Sequence, residues 1–176
     1  MRKIVLTYGI LAGVIIVTLW VITFSVMSGS EGSSSSMAIG YATMIVSLSM
    51  IFFAVRSYRD NYSGGSITFG RGFLIGFYIT IIASVFYVVG WKIYSAIALP
   101  DFADHYAKLM IDNLKKSGAS EAAILAKTKE MAEWKQWYSN PVIEIAMTFL
   151  EIFPVGLLIS VICAFILKRK PKTTAA

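Results

Sequence analysis

Four unbroken apolar stretches divide the chain, at residues 4–27, 37–55, 73–99 and 142–167, and three polar connections separate them. Each stretch is near or above the roughly 20 residues an α-helix needs to cross the hydrocarbon of a bilayer. The third connection, residues 100–140, has a different pattern. Its apolar residues recur at helical spacing instead of running together: Phe102, Tyr106, Leu109, Met110 and Leu114 fall on one face, and Gly118 provides a stop. Ser120 can cap a second helix, with Ile124, Thr128 and Met131 on one stripe, that runs to about Trp137. The pattern therefore predicts an all-α fold, a four-helix transmembrane bundle with an extracytoplasmic αα-hairpin over residues 101–139 between spans three and four. Spans and hairpin use the whole length, so residues 1–176 form a single domain.

Composition supports this reading and removes others. With 57% hydrophobic and only 15% charged residues, the chain is more apolar than a water-soluble domain of 176 residues can use. A net charge of +6 could suggest a nucleic-acid partner, but the basic residues stand at the ends of the apolar stretches and form no block, so none is expected. Their placement reports topology instead. Arg2 and Lys3, Arg56, Arg59 and Arg71, and Lys168, Arg169, Lys170 and Lys172 flank spans on one side, while the Gly/Ser connection at 28–36 has no basic residue. The lysines of residues 100–140 are balanced by as many acidic residues. Both termini are expected in the cytoplasm and the hairpin outside. The first stretch is too long for a cleaved signal h-region and reads as an uncleaved anchor. The lone Cys163 lies within the fourth span and reads as a small buried or lipid-facing side chain.

Two pairs of glycines at four-residue spacing, Gly9 with Gly13 and Gly72 with Gly76, suit close helix contact, either between spans one and three or between two subunits. Between spans two and three, Arg56 and Arg59 complement the negative end of a helix, Asp60 follows Arg56 by one turn, and Gly64-Gly65 breaks the helix. Ile67-Thr68-Phe69 then resumes an amphipathic approach to span three. The four-span hydropathy, the Tyr58-Arg59-Asp60 helix end, the Gly-Gly break, the Ile67-Thr68-Phe69-Gly70 approach to Phe73 and Gly76, and the charged insert together resemble a bacterial membrane family. It is the one named domain of unknown function 4199, found mainly in Bacteroidota. The resemblance implies a multi-pass protein of the bacterial inner membrane and carries over no activity, substrate or catalytic residue.

The candidate chemistry is sparse. His105, the one histidine, has Asp101, Asp104 and Asp112 nearby in sequence, too few ligands of recognisable spacing for a metal site. No phosphate-binding glycine loop, His-Glu-x-x-His helix or Ser/His/Asp set with a second histidine occurs. The chain is thus expected to be no enzyme and to hold no metal or cofactor. What remains is an intramembrane polar set. Glu144, Thr148 and Glu151 share a face of span four, one turn before Pro154, which leaves the Leu150 carbonyl without its helical donor. Lys92 and Glu151 should lie at levels about one helical turn apart, with Tyr87 and Tyr94 able to donate hydrogen bonds from span three.

Two readings compete. In the favoured one Lys92 pairs with Glu144 or Glu151 and holds spans three and four in register, in a structural or partner-interacting membrane component. The alternative is a small oligomeric transporter or channel with Glu151 as its protonatable site; against it, four helices lack the inverted repeats and broken helix pairs of a typical carrier. Expected partners are the lipid bilayer and, through the hairpin, a second copy or another membrane protein. Trp134, Trp137 and Tyr138 suit the headgroup level before span four.

Overall fold

The computed structural model describes residues 1–26 and 34–170; most of the Gly/Ser connection and the Lys172 end of the basic tail lie outside them. Within these residues the chain forms α1 (Arg2–Val26), α2 (Ser34–Leu48), α3 (Met50–Tyr62), α4 (Phe69–Ala98), α5 (Phe102–Lys116), α6 (Glu121–Tyr138) and α7 (Pro141–Leu167). Four candidate spans follow, at Arg2–Thr23, Ala38–Tyr62, Phe69–Ala98 and Pro141–Leu167.

Local chemistry explains most helix ends. Thr68 accepts a hydrogen bond from the Arg71 amide at the start of α4, and Ser120 does the same from Ala123 for α6. Asn140 accepts from Val142, and Pro141 occupies the first position of α7, where its missing N–H is no loss. Gly65 (φ 77°) lies in the break after α3, and Gly118 (φ 76°) turns α5 toward α6, both in the left-handed region that glycine enters cheaply. At the start of α4, Ile67 and Arg169 exchange both backbone hydrogen bonds, at 3.0 and 2.9 Å, which ties the α3–α4 connection to the end of α7.

Two boundaries differ from the hydropathy reading. The second span reaches Tyr62, not residue 55, because the helix continues through Arg56 and Arg59, and α4 begins at Phe69, where Thr68 caps it, not at Phe73. The second span is also divided at Ser49, whose hydroxyl donates to the Val46 carbonyl (2.6 Å) between α2 and α3.

α4 is the central helix, packed on α1 along one side and on α7 along another. Between helices in lipid the hydrophobic effect gives little, so contact depends on close packing and interhelical hydrogen bonds. Small residues supply both. A Cβ at Gly9 would stand 2.9 Å from Ile82, one at Gly13 would be 2.5 Å from Phe86, and one at Gly90 would be 2.8 Å from Val17, so α1 and α4 interlock through glycines on both. Gly72 and Gly76 contribute elsewhere. They face Ala164 and Ser160 of α7, with Val55 and Ile51 of α3, and not the first span. The expectation of a contact between this pair and span one is corrected: Ile82 and Phe86, about two to four turns further along α4, are what α1 receives.

The α4–α7 seam keeps one antiparallel register along its length, with Gly72 opposite Ala164, Gly76 opposite Ser160, and Gly156 opposite Thr80. The Thr80 hydroxyl donates to the Gly76 carbonyl (2.9 Å) and lies 3.3 Å from the Ser160 hydroxyl, which donates to the Gly156 carbonyl (2.7 Å). Two β-hydroxyls thus satisfy themselves on their own helices while touching across the seam. Ser84, one turn further, is fully buried, and its hydroxyl has no hydrogen-bond partner among the described residues.

Candidate functional site

The same register decides what becomes of the polar set. Lys92 meets Glu144, with Nζ 2.6 Å from Oε2. The carboxylate is buried (side chain 10% exposed), whereas the ammonium stem lies along the surface with 42% exposed. This geometry matches a lysine that reaches outward while neutralising an inner charge. Glu144 also sits in the first turn of α7, where negative charge complements the helix dipole.

Glu151 takes no part in that pair. It lies seven residues beyond Glu144 on α7, about 10 Å along the axis at 1.5 Å per residue. The level shared with Lys92 is therefore Glu144's, and the expected one-turn offset between Lys92 and Glu151 is corrected to about two turns. Glu151 lies close to the Tyr87 hydroxyl, and both border the same cavity. No cationic side chain contacts it among the described residues. Tyr94 meets Trp20 of α1 edge to face, at 4.9 Å between ring centroids. α7 continues through Pro154 without a break in its helical course.

Glu151, Thr148 and Tyr87 border a cavity of about 370 Å³ where the bundle meets α5 and α6. Its remaining wall is almost wholly aromatic. Trp20 from α1 and Trp91 from α4 meet edge to face at 5.3 Å, and Trp91 meets Phe102 of α5 at 4.6 Å. On the α6 side Trp134 stacks on Tyr138 at 4.8 Å and contacts Tyr106 of α5 at 5.2 Å. The Trp91 indole N–H donates to the Tyr138 hydroxyl at 2.7 Å, joining α4 to α6. Asp104 and Lys135 form an ion pair between α5 and α6 beside this cluster.

The aromatic cluster changes one expectation. Trp137 is exposed, in keeping with a headgroup position, but Tyr138 turns inward onto Trp91 and Phe102, Trp134 packs on Tyr106 and Tyr138, and both line the cavity. Burial raises the Tyr138 phenol above its ordinary range, opposed in part by the hydrogen bond from Trp91. The sequence does carry a signal for the cavity: aromatic residues concentrate at Tyr87, Trp91 and Tyr94, at Phe102 and Tyr106, and at Trp134 to Tyr138. Spacing within one helix cannot show that they converge, because the wall draws on five helices.

Among the described residues no group of three His, Cys, Asp or Glu side chains could hold a metal ion. Cys163 is buried on α7.

Four helices long and apolar enough to cross a membrane, packed through small residues and joined at one end to a further helix pair over an aromatic cavity, define a multi-pass helical membrane protein. A family model described as "Protein of unknown function (DUF4199)" matches residues 7–169, which takes in nearly all of α1 through α7 and every residue lining the cavity, and the chain belongs to that family. Comparison with curated proteins and with solved structures returns no match.

Proposed function

We propose that the protein is a non-enzymatic binding component of a bacterial inner membrane, with both termini in the cytoplasm, in which α5 and α6 cap a small-molecule site on the outer face. The observation that carries this reading is the cavity of about 370 Å³ shared by the bundle and the α5–α6 pair. Its size falls in the range of small-molecule sites, and its lining, apolar rings with few polar groups, is the usual composition of such sites. The orientation rests on the positive flanks: Arg2 and Lys3, Arg56 and Arg59, and Lys168 to Lys170 belong to the end of the bundle away from α5 and α6.

Two measurements test it. In a Cys163→Ser background, Lys129→Cys on exposed α6 should react with a membrane-impermeant maleimide in intact cells, and Lys170→Cys only after permeabilisation. The reverse pattern would overturn the orientation. Three of the four tryptophans line the cavity, so intrinsic fluorescence reports on its contents. Titration of the purified protein with neopentylbenzene, a neutral apolar probe, should give saturable one-to-one binding that Trp134→Ala weakens at least fivefold. A linear response to this probe and to its cationic isostere benzyltrimethylammonium alike, unchanged by Trp134→Ala, would mean simple partition into detergent and would remove the binding reading.

The transport reading keeps one observation in its favour, a carboxylate at the cavity with a tyrosine and no cation in contact among the described residues. It requires proton-dependent flux in proteoliposomes that Glu151→Gln abolishes.

A further inference from the structure

The cavity has one electrostatic property that its aromatic lining alone does not supply. Two glutamates lie near it, and they are not equivalent. Glu144 is neutralised by Lys92 at 2.6 Å. Glu151 borders the cavity itself, beside a tyrosine hydroxyl that can donate a hydrogen bond but brings no charge. Among the described residues the cation at this level of α7, Lys92, is therefore committed to Glu144 two helical turns away, and charge balance for Glu151 comes from a bound proton or from what occupies the cavity.

The rings around it point to the same chemistry. The face of an indole or phenol carries the negative part of the ring quadrupole and attracts an alkylammonium ion, most strongly when water is excluded. Trp20, Trp91 and Trp134 supply three indoles, and Tyr106 and Tyr138 two phenols. The Trp91 N–H and the Tyr138 hydroxyl are engaged with each other at 2.7 Å. The Trp91 N–H is thus a poor donor toward an anionic ligand, while the ring faces of both residues are apolar and electron-rich. An anion would meet no cation among the described residues that line the cavity and would be repelled by an ionised Glu151. A neutral apolar ligand would leave a carboxylate against hydrocarbon, which costs free energy.

We propose that this cavity binds an organic monocation, an alkylammonium group joined to an apolar body, with the ammonium paired to the Glu151 carboxylate and its substituents against Trp91 and Trp134. The inference rests on reading the cavity as a binding site and adds the class of ligand. The ammonium could belong to a free amphipathic amine or to the headgroup of an ethanolamine lipid, since both present the same group to the site.

The test compares benzyltrimethylammonium with neopentylbenzene, its neutral carbon isostere, in the purified full-length protein, by tryptophan fluorescence and by calorimetry. Wild type should bind the cation at least tenfold more tightly than the isostere. Glu151→Gln should reduce that ratio to near one while leaving isostere binding within twofold of wild type. Trp134→Leu should weaken the cation more than the isostere. Glu151→Asp, which keeps the charge on a shorter stem, should retain part of the preference, and thermal unfolding of each variant confirms that it is folded. Nanodiscs then assign the source: if the natural occupant is a headgroup, ethanolamine lipids raise the apparent Kd of the cation relative to glycerol-headgroup lipids, and if it is a free amine the two agree once surface charge is screened by salt. Equal binding of cation and isostere by wild type, or a cation preference that survives Glu151→Gln, overturns the proposal but leaves the binding site standing. Saturable binding of neither probe removes both.

Discussion

Replacing Gly156 by alanine adds a single carbon, and the α4–α7 seam determines what that carbon costs. The new Cβ would overlap Thr80 Cγ2 and stand 2.7 Å from its Oγ1 and 3.0 Å from its Cβ. Thr80 cannot easily move aside. It is β-branched, fully buried, and bonded to the Gly76 carbonyl at 2.9 Å, so another rotamer would give up that hydrogen bond. Ordinary carbon contacts lie at about 3.5–4.0 Å, which means the helices must part locally by several tenths of an ångström. Overpacking of this kind costs about 1–3 kcal/mol. Alanine recovers up to about 1 kcal/mol of helix propensity. The net expectation is a destabilisation of about 1–2 kcal/mol, or roughly 2–8 °C in unfolding temperature for a chain of this size.

Gly40→Ala provides the control, because a Cβ there meets nothing within 4 Å, so the same substitution should be neutral or slightly stabilising. Thermal unfolding followed by circular dichroism at 222 nm in one detergent measures both. Thr80→Ser removes the Cγ2 carbon and keeps the hydroxyl, and should relieve part of the Gly156→Ala loss in the double variant, a non-additivity of the size expected for residues in contact. If Gly156→Ala matches Gly40→Ala, or if Thr80→Ser brings no relief, the seam is not held by the close approach argued here.

Lys92→Met should destabilise by about 1–3 kcal/mol, because it leaves the buried Glu144 carboxylate without its cation. Glu144→Gln, which frees a lysine already at the surface, should cost less than about 1 kcal/mol, and the double variant should be more stable than Lys92→Met alone. Ser84→Ala removes a buried hydroxyl that has no partner among the described residues and should raise the unfolding temperature, with about 1 kcal/mol as the scale. Tyr138→Phe should cost about 1 kcal/mol through loss of the Trp91 hydrogen bond, measured by the same thermal unfolding. The Tyr138 phenol is raised by burial, so the folded state holds its proton more tightly than the unfolded chain; the stability this gives is complete below about pH 10, the ordinary tyrosine value, and declines as pH rises further. Unfolding temperatures between pH 8 and 11 should therefore fall less steeply in Tyr138→Phe than in wild type.

Much of the fold could be read directly from one-dimensional pattern. Continuous hydrophobicity marks the four spans because each must satisfy its backbone within itself in hydrocarbon, and a helix is the local solution. Thr68, Ser120 and Asn140-Pro141 announce helix starts because capping involves residues only two or three positions apart. Gly9 and Gly13 declared a close contact, and their partner, α4, lay within reach of the argument. The partners of Gly72 and Gly76 did not, because a small residue states that something comes near without stating what.

The site shows the same division more sharply. Sequence alone determined that a carboxylate-bearing stripe would lie in span four, that a lysine near the end of span three could answer it, and that a helical segment rich in aromatics would separate the two. Only the tertiary structure decided that the complementarity of Gly72, Gly76 and Thr80 with Ala164, Ser160 and Gly156 sets the register of α4 on α7. That register assigns Lys92 to Glu144 and leaves Glu151 two turns away against Tyr87. It also brings Trp20, Trp91, Phe102, Tyr106, Trp134 and Tyr138 from separate helices to one wall. The physical reason is range: hydropathy and capping act between near neighbours along the chain, whereas the sliding position of one helix on another is chosen by steric fit between residues about eighty positions apart, and the chemistry of the cavity depends on that choice.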